Sequence, residues 1–146
     1  MKPTIITVLT LALAVLFGSC NDQSDSPIYG RWRLEKYNSI ATSSYGLTQV
    51  DKNENYVLQL DNTGVFCCTT DCNNISGNFE TDKTTLTFSN ISLTEKAIEG
   101  IIFCDDMLLE RSIEANLRCI KSYELKDTST MYLMDADDHI LIVLTK

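Results

Sequence analysis

Residues 56–69, YVLQLDNTGVFCCT, have the pattern of a β-hairpin. Tyr56, Leu58 and Leu60 alternate with their neighbours, which places their side chains on one face of a strand. The segment 61–64, DNTG, is predicted to be a tight turn, because Asn and Gly accept the positive φ angles that such turns require. Residues 65–69 are then expected to return as the partner strand.

The same two-residue period continues on both sides of this hairpin. Trp32, Leu34 and the aliphatic stem of Lys36 are predicted to share one strand face, and Leu86 and Phe88 alternate in the same way. Gly77 is interpreted as a break before a strand, and Asp82-Lys83 as a turn. The further strands predicted are 31–37, 78–80, 85–88, 123–125, 131–134 and 140–144.

One segment has a helical period instead. Its apolar residues recur at spacings of four, four and three, on one face of an α-helix: Leu109, Ile113, Leu117 and Ile120. Asp105 or Asp106 lies where an N-cap is expected. The sequence therefore predicts an α+β domain, a largely antiparallel sheet of about seven strands with one helix packed on it.

The N-terminus is predicted to be a targeting segment. Lys2 precedes an apolar run over residues 5–17, which is too short for a membrane-spanning helix. Residues 17–20, FGSC, resemble a lipobox, in which the Cys20 thiol is acylated and Cys20 becomes the new N-terminus. The expected organisation is a signal peptide at 1–19, a lipidated Cys and polar tether at 20–28, and one domain at 29–146.

Charge excludes one class of function. The net charge is −8 at pH 7, and loss of Lys2 with the signal peptide brings it to −9. Such a domain repels nucleic acid and anionic headgroups, and we expect no basic cluster to offset this. The expected partners are the membrane, through lipid on Cys20, and an envelope protein. No cofactor is expected.

Cysteine usage agrees with export. Five cysteines follow Cys20, so at most two internal disulfides can form: Cys67, Cys68, Cys72, Cys104 and Cys119. The Cys68–Cys72 spacing suits zinc, but no second close pair of ligands exists, so structural disulfides are favoured. His139, the only His, lies in an acidic turn and is interpreted as a surface residue.

That acidic turn also suggests a cation site. Asp135, Asp137 and Asp138 offer oxygen ligands for calcium, but the order of residues does not match an EF-hand loop. An ordinary acidic hairpin tip is therefore the preferred interpretation.

The stretch CNNISGNF, residues 72–79, resembles the Cys-Asn-x-x-x-Gly-x-Tyr signature of the META domain (HslJ-like) family. The resemblance extends over residues 29–145. The motif positions are Cys72, Asn73, Gly77, Phe79, Thr94 and Glu110. Trp32, Leu86, Phe88, Cys104 and Leu117 also have counterparts in the family.

The resemblance implies a disulfide between Cys72 and Cys104, which occupy the two Cys positions of the family. A second bridge from Cys119 to Cys67 or Cys68 is plausible. Residues 95–103 look like an insertion relative to the family, and Glu110 is expected to anchor the helix to a loop by hydrogen bonds. Proteins of this family are typically small, exported, lipid-anchored or periplasmic, and have no assigned reaction.

The function expected is a non-enzymatic role in binding or envelope stability at the outer membrane, on its periplasmic side or at the cell surface. An alternative is an inhibitor or accessory subunit, which requires an exposed apolar patch flanking residues 72–77. A small thiol- or metal-dependent enzyme is a further alternative. A lipocalin-like carrier is another, and it requires a hollow sheet around a ligand cavity.

Overall fold

The computed structural model describes residues 26–95 and 107–146. Nine strands are described: β1 Gly30–Asn38, β2 Leu47–Gln49, β3 Val57–Leu60, β4 Val65–Thr69, β5 Asn73–Asp82, β6 Thr85–Glu95, β7 Ser122–Leu125, β8 Thr130–Met134 and β9 Ile140–Thr145. A 3-10 turn, Asn53–Asn55, precedes β3, and helix α1, Met107–Cys119, lies between β6 and β7. Outside the described ranges lie the signal segment, Cys20, most of the tether, the expected insertion, Cys104 and the predicted N-cap residues Asp105 and Asp106.

The strands form one antiparallel sheet that closes on itself. Strands β3 to β9 pair in chain order, and β1 pairs with β3 through residues 30–33 and with β9 through residues 33–37. Strand β2 extends the sheet beside the end of β1. Closure leaves few unpaired strand edges, which reduces the risk of pairing with other chains. The predicted α+β class is confirmed.

Side chains fill the interior of the closed sheet. Trp32, Tyr56 and Phe66 are the largest of the fully buried residues. The predicted helix face is also buried, through Leu109, Ile113, Leu117 and Ile120. Helix α1 therefore packs on this core through the stripe that the period predicted. Such a packed interior differs from the hollow sheet that a lipocalin-like carrier requires.

A β-bulge in β1 corrects one prediction. Leu34 pairs with Leu144 and Lys36 with Val143, so Glu35 is the extra residue in the ladder. One extra residue reverses the alternation, so Lys36 is exposed and Tyr37 is buried. The expected inward position of the Lys36 stem is therefore wrong.

Gly77 lies within β5 and does not end a strand. The register between β5 and β6 shifts between Ser76 and Asn78, next to it. A Cβ atom at Gly77 would lie 2.6 Å from the carbonyl oxygen of Ser89 and 2.8 Å from a ring carbon of Phe66. Only glycine permits this approach of two strands and a core aromatic ring.

Candidate functional site

A buried carboxylate joins helix α1 to the turn between β4 and β5. Thr70 Oγ1 donates a hydrogen bond of 2.7 Å to Glu110 Oε2, and Asn73 Nδ2 donates one of 2.7 Å to Glu110 Oε1. Glu110 is only 5% exposed. The expectation that Glu110 anchors the helix to a loop is confirmed, and both carboxylate oxygens take part.

Cys72 lies beside this anchor and is disulfide-bonded. Cys67, Cys68 and Cys119 are free thiols, which contradicts the expected second bridge. The reason is geometric, since Cys68 points into the core while Cys119 is exposed at the end of helix α1. Cys104 lies outside the described residues, so its bond to Cys72 stays a prediction.

The other motif residues that the structure describes serve packing and pairing. Phe79 is buried, and its ring meets that of Tyr29 edge-on at 6.3 Å. Thr94 is exposed in β6, where it pairs with Asn74. The motif therefore builds the scaffold around the anchor.

Two buried polar residues of helix α1 escaped the sequence analysis. Ser112 Oγ accepts a hydrogen bond from the Ile40 N–H, and Asn116 Nδ2 donates to the Asn38 carbonyl oxygen. Both attach the helix to the segment that follows β1. Their spacing of four residues, beside the apolar stripe, is the signal that could have revealed them.

An open cleft separates helix α1 from this segment. Its cavity of about 210 Å³ has a wall made of Asn38, Ile40, Tyr45, Ala115, Asn116, Cys119, Asp135 and Leu141. Asn38 Oδ1 is buried and has no hydrogen-bond partner within the described residues. Tyr45 and Ile40 are 60% and 49% exposed at the rim. The cleft thus exposes apolar surface at its rim, whereas the unpartnered Asn38 oxygen is closed off from solvent.

Tyr45 stacks on His139 at the mouth of this cleft. The ring centroids are 3.8 Å apart and the planes differ by 9°. His139 Nδ1 lies 3.2 Å from Asp135 Oδ2. The neighbouring Asp135 carboxylate raises the pKa of Tyr45 above its ordinary value. His139 is in a turn as predicted, but its contact with Tyr45 was not foreseen.

Among the described residues, one group of side chains has a geometry that could hold a metal ion, and it lies in the acidic turn between β8 and β9. One ligand atom from each of Asp135, Asp137 and His139 lies within 4.8 Å of the others. Asp135 Oδ1 already accepts hydrogen bonds from the Asp137 and His139 N–H groups, at 2.9 and 3.0 Å. Burial acts to raise the Asp135 pKa, but these hydrogen bonds lower it below its ordinary value. Hydrogen bonds within the hairpin therefore explain why these side chains lie close together.

The apolar patch required by the docking alternative does not form around residues 72–77 in the described part of the chain. Val65 and Leu93 are the exposed apolar residues on strands β4 and β6. Val65 is paired with exposed Asn78, whereas Leu93 is paired with buried Ile75. The two side chains therefore lie on opposite faces of the sheet. Exposed apolar surface is instead found at the cleft rim.

A second cavity corrects the expectation that no basic cluster exists. Its volume is about 270 Å³ and its wall contains Arg31, Arg33 and Lys146. The two arginines alternate on β1, and the fold brings Lys146 beside them from the end of β9. The sequence did not reveal this cluster, because Lys146 is far along the chain from the two arginines.

The fold and the buried Glu110 together define a small α+β domain, in which a closed antiparallel sheet is joined to a helix by the Glu110 hydrogen bonds. The family model of the META domain matches residues 26–146, and the chain belongs to this family. No curated protein matches the chain in sequence. None of the described helices is long and apolar enough to cross a membrane.

Two solved structures are similar in fold. A DUF4847 family protein from Bacteroides vulgatus is 12% identical, with a TM-score of 0.54, and the match covers 80% of this chain and 91% of that one. A protein from Burkholderia xenovorans is 16% identical, with a TM-score of 0.57 and 80% of each chain covered. At these identities the likeness concerns the fold alone.

Proposed function

We propose that this META-domain protein is a lipoprotein of the cell envelope, held in the outer membrane by acyl chains on Cys20, with a non-enzymatic binding role. The FGSC sequence at 17–20 and the polar tether after it support the anchor. The position at which the fold begins also supports it. Ile28 is fully buried, and its carbonyl oxygen accepts a 2.7 Å hydrogen bond from Trp32 Nε1.

One observation carries the binding role: an open cleft whose rim exposes the Ile40 and Tyr45 side chains. Both oxygens of Glu110 accept hydrogen bonds, and the His139 ring is stacked and hydrogen-bonded. Burial raises the pKa of the Cys68 thiol, which suppresses its nucleophilic form. Cys119 is a free, exposed thiol in the cleft wall, but no hydrogen bond joins it to a base among the described residues. The arrangement therefore favours recognition over catalysis.

The anchor is tested by producing the full chain in a Gram-negative host supplied with an alkyne-tagged fatty acid. We expect the label to appear on the peptide that begins with Cys20 and to disappear in a Cys20→Ala variant. A Cys67→Ala variant controls for labelling of other thiols. A mature protein without label, or one cleaved elsewhere, would refute the anchor.

The second candidate function is an accessory subunit that docks on an envelope protein. The exposed pair Ile40 and Tyr45 favours it, because aromatic and apolar rim residues are typical anchors of interfaces. Asp135 and Asp137 beside Tyr45 would suit a partner that presents Lys or Arg.

This docking is tested with a photo-crosslinking residue at Ile40 in cells. The control carries the same residue at Val65, which has comparable exposure (44% against 49%) on β4. We expect one discrete adduct from position 40 that a Tyr45→Ala substitution abolishes. Equal adducts from both positions would argue against a specific partner at the cleft.

A further inference from the structure

The cavity on the outer face of β3, β1 and β9 concentrates positive charge in an acidic protein. Arg31 and Arg33 lie two residues apart on β1, so they project from the same face. Thr145 and Val57 flank Arg33 as its partners on β9 and β3. Lys146 completes the wall of this cavity of about 270 Å³.

The two arginines of this cavity are available to a ligand. The ion pairs within the described residues join Arg118 to Glu114, Lys126 to Glu124 and His139 to Asp135, so neither cavity arginine takes part in one. Glu54 also lines the cavity without forming an ion pair. Two guanidinium groups on one strand face, neither of them in an ion pair with a described carboxylate, suit the oxygens of a phosphate.

Two further residues of the cavity wall, Lys146 and Val57, are held by contacts within the domain. The Lys146 ammonium lies 4.6 Å from the centre of the Trp32 ring and donates a hydrogen bond to the Pro27 carbonyl oxygen. Val57 has an outward position on β3, yet it is only 8% exposed at the base of the cavity. Lys146 thus packs on the Trp32 ring, and Val57 gives the cavity an apolar base.

The cavity lies beside Pro27, near the point at which the predicted tether enters the domain. Pro27, which contacts Lys146, lies seven residues after Cys20, and an extended tether of that length spans at most about 25 Å. The rest of the strongly acidic chain is repelled by anionic headgroups. The end of the domain that carries the cations is therefore the end that can approach the bilayer.

We propose that Arg31 and Arg33, in the cavity that Lys146 borders, bind the phosphate of an anionic phospholipid headgroup in the leaflet that holds the Cys20 lipid. This inference rests on the proposed anchor. Headgroup binding adds a second attachment to the membrane beside the acyl chains. It also orients the domain so that the cleft beside α1 stays open to solvent.

The test uses the full lipoprotein in lipid nanodiscs of phosphatidylcholine with increasing fractions of phosphatidylglycerol. Phenylglyoxal modifies guanidinium groups, and mass spectrometry reports the rate at each arginine. Arg111 and Arg118, exposed on helix α1, are internal references. We expect Arg31 and Arg33 alone to become protected as phosphatidylglycerol increases.

Charge variants test whether the cavity itself is responsible. Lys146→Gln should raise the phosphatidylglycerol fraction needed for half-protection about fivefold, the usual effect of one basic side chain at an anionic surface. Lys36→Gln removes an exposed cation of the same strand outside the cavity and should change nothing. Glu54→Gln removes the opposing carboxylate and should lower that fraction, which keeps the test valid if the Lys146 variant folds poorly.

Several outcomes would overturn the proposal. One is that all four arginines are modified equally at every lipid composition. Another is that Lys36→Gln and Lys146→Gln have equal effects. Equal protection by inorganic phosphate in neutral maltoside detergent, at constant ionic strength, would assign the cavity to free anions. A sample without acyl chains on Cys20 refutes the proposed anchor, whereas an acylated sample with unprotected arginines refutes only the lipid site.

Discussion

Glu110 and Asn73 are 37 residues apart in sequence, and a hydrogen bond of 2.7 Å joins their side chains. The second carboxylate oxygen of Glu110 accepts an equally short hydrogen bond from Thr70. A buried charge is tolerated when its oxygens are satisfied in this way. The pairing ties helix α1 to the turn beside Cys72 and explains why the motif residues and Glu110 belong to one structural unit.

Replacing Glu110 with Gln should destabilise the domain. A Gln side chain keeps one acceptor oxygen for Asn73 Nδ2 and turns its NH₂ group toward Thr70, so the hydrogen bond from the Thr70 hydroxyl to a carboxylate oxygen is lost. We expect a loss of about 1.5–3 kcal/mol in the free energy of unfolding, measured by urea titration. Glu114→Gln, which removes an exposed ion pair with Arg118, should cost about 0.3–0.5 kcal/mol. Equal losses would show that the hydrogen bonds of Glu110 do not stabilise the domain.

Gly77→Ala should be far more damaging than Gly46→Ala. The added methyl group at position 77 meets backbone oxygens of Ser89 and Asn90 within 3 Å, and neither can move without disturbing β6. Overpacking of this kind typically costs about 1–3 kcal/mol. A methyl group at Gly46 meets only the Ser44 oxygen, at 3.9 Å. Thermal unfolding of both variants tests this, and similar melting temperatures would refute it.

The free thiols should react in an order set by burial. Cys119 is exposed and Cys67 half-buried, whereas Cys68 is buried and its pKa is raised by that burial. Iodoacetamide should therefore label Cys119 first and Cys68 only after unfolding. Peptide mass mapping over time gives the rates. Labelling of Cys68 in the native protein as fast as Cys119 would contradict the described core.

Cys72 should be joined to Cys104. Cys72 is disulfide-bonded, Cys67, Cys68 and Cys119 are free, and the family resemblance implies Cys104 as the partner of Cys72. Cys104→Ser should therefore free the Cys72 thiol and lower stability by about 2–4 kcal/mol. Cys119→Ser is the matched control. An unchanged melting temperature together with a protected Cys72 would exclude this bond.

The turn between β3 and β4 should contribute a pH-dependent stability. Asp61 Oδ1 accepts hydrogen bonds from the Thr63 hydroxyl and from the Thr63 and Val65 N–H groups. The hydroxyl bond, then those of the backbone, lower the Asp61 pKa below its ordinary value of 3.8. The stabilisation is therefore complete above that value and is lost as the pH falls through the lower, folded-state pKa.

Asp61→Asn tests this dependence by urea unfolding at neutral and acidic pH. The variant should be less stable than the natural chain near about pH 7 and nearly equal to it near about pH 2. Asp51→Asn is the control, because the exposed Asp51 carboxylate accepts no hydrogen bond from the described residues. A stability difference for Asp61→Asn that is the same at both pH values would refute the role of ionisation.

The strands and helix that the sequence predicted correctly have a strong local period. Leu58 and Leu60 alternate in β3, and Leu109 and Ile113 follow the helical spacing in α1. Strand β2 was missed because its three residues, Leu47–Gln49, are all exposed and carry no apolar alternation. The bulge at Glu35 was missed because an extra residue is apparent only against the partner strand.

The candidate site was less predictable than the fold. Family resemblance pointed to Glu110, but its partner Thr70 lies 40 residues away and outside the motif. Tyr45 meets His139 only because the segment after β1 crosses the β8–β9 turn. Contacts of this kind depend on how distant segments are placed, and no local pattern encodes them.

The sequence alone determined the α+β class, the positions of most strands, and the helix with its buried face; lipid attachment at Cys20 stays a prediction. These properties follow from short-range periods and motifs, because alternation and capping act between near neighbours. Tertiary structure decided which thiols stay free, where Asn38 and Tyr45 form a cleft, and that Arg31, Arg33 and Lys146 share one cavity. The physical reason is that closing the sheet through β1 and β9 joins the two ends of the domain, which no local pattern records.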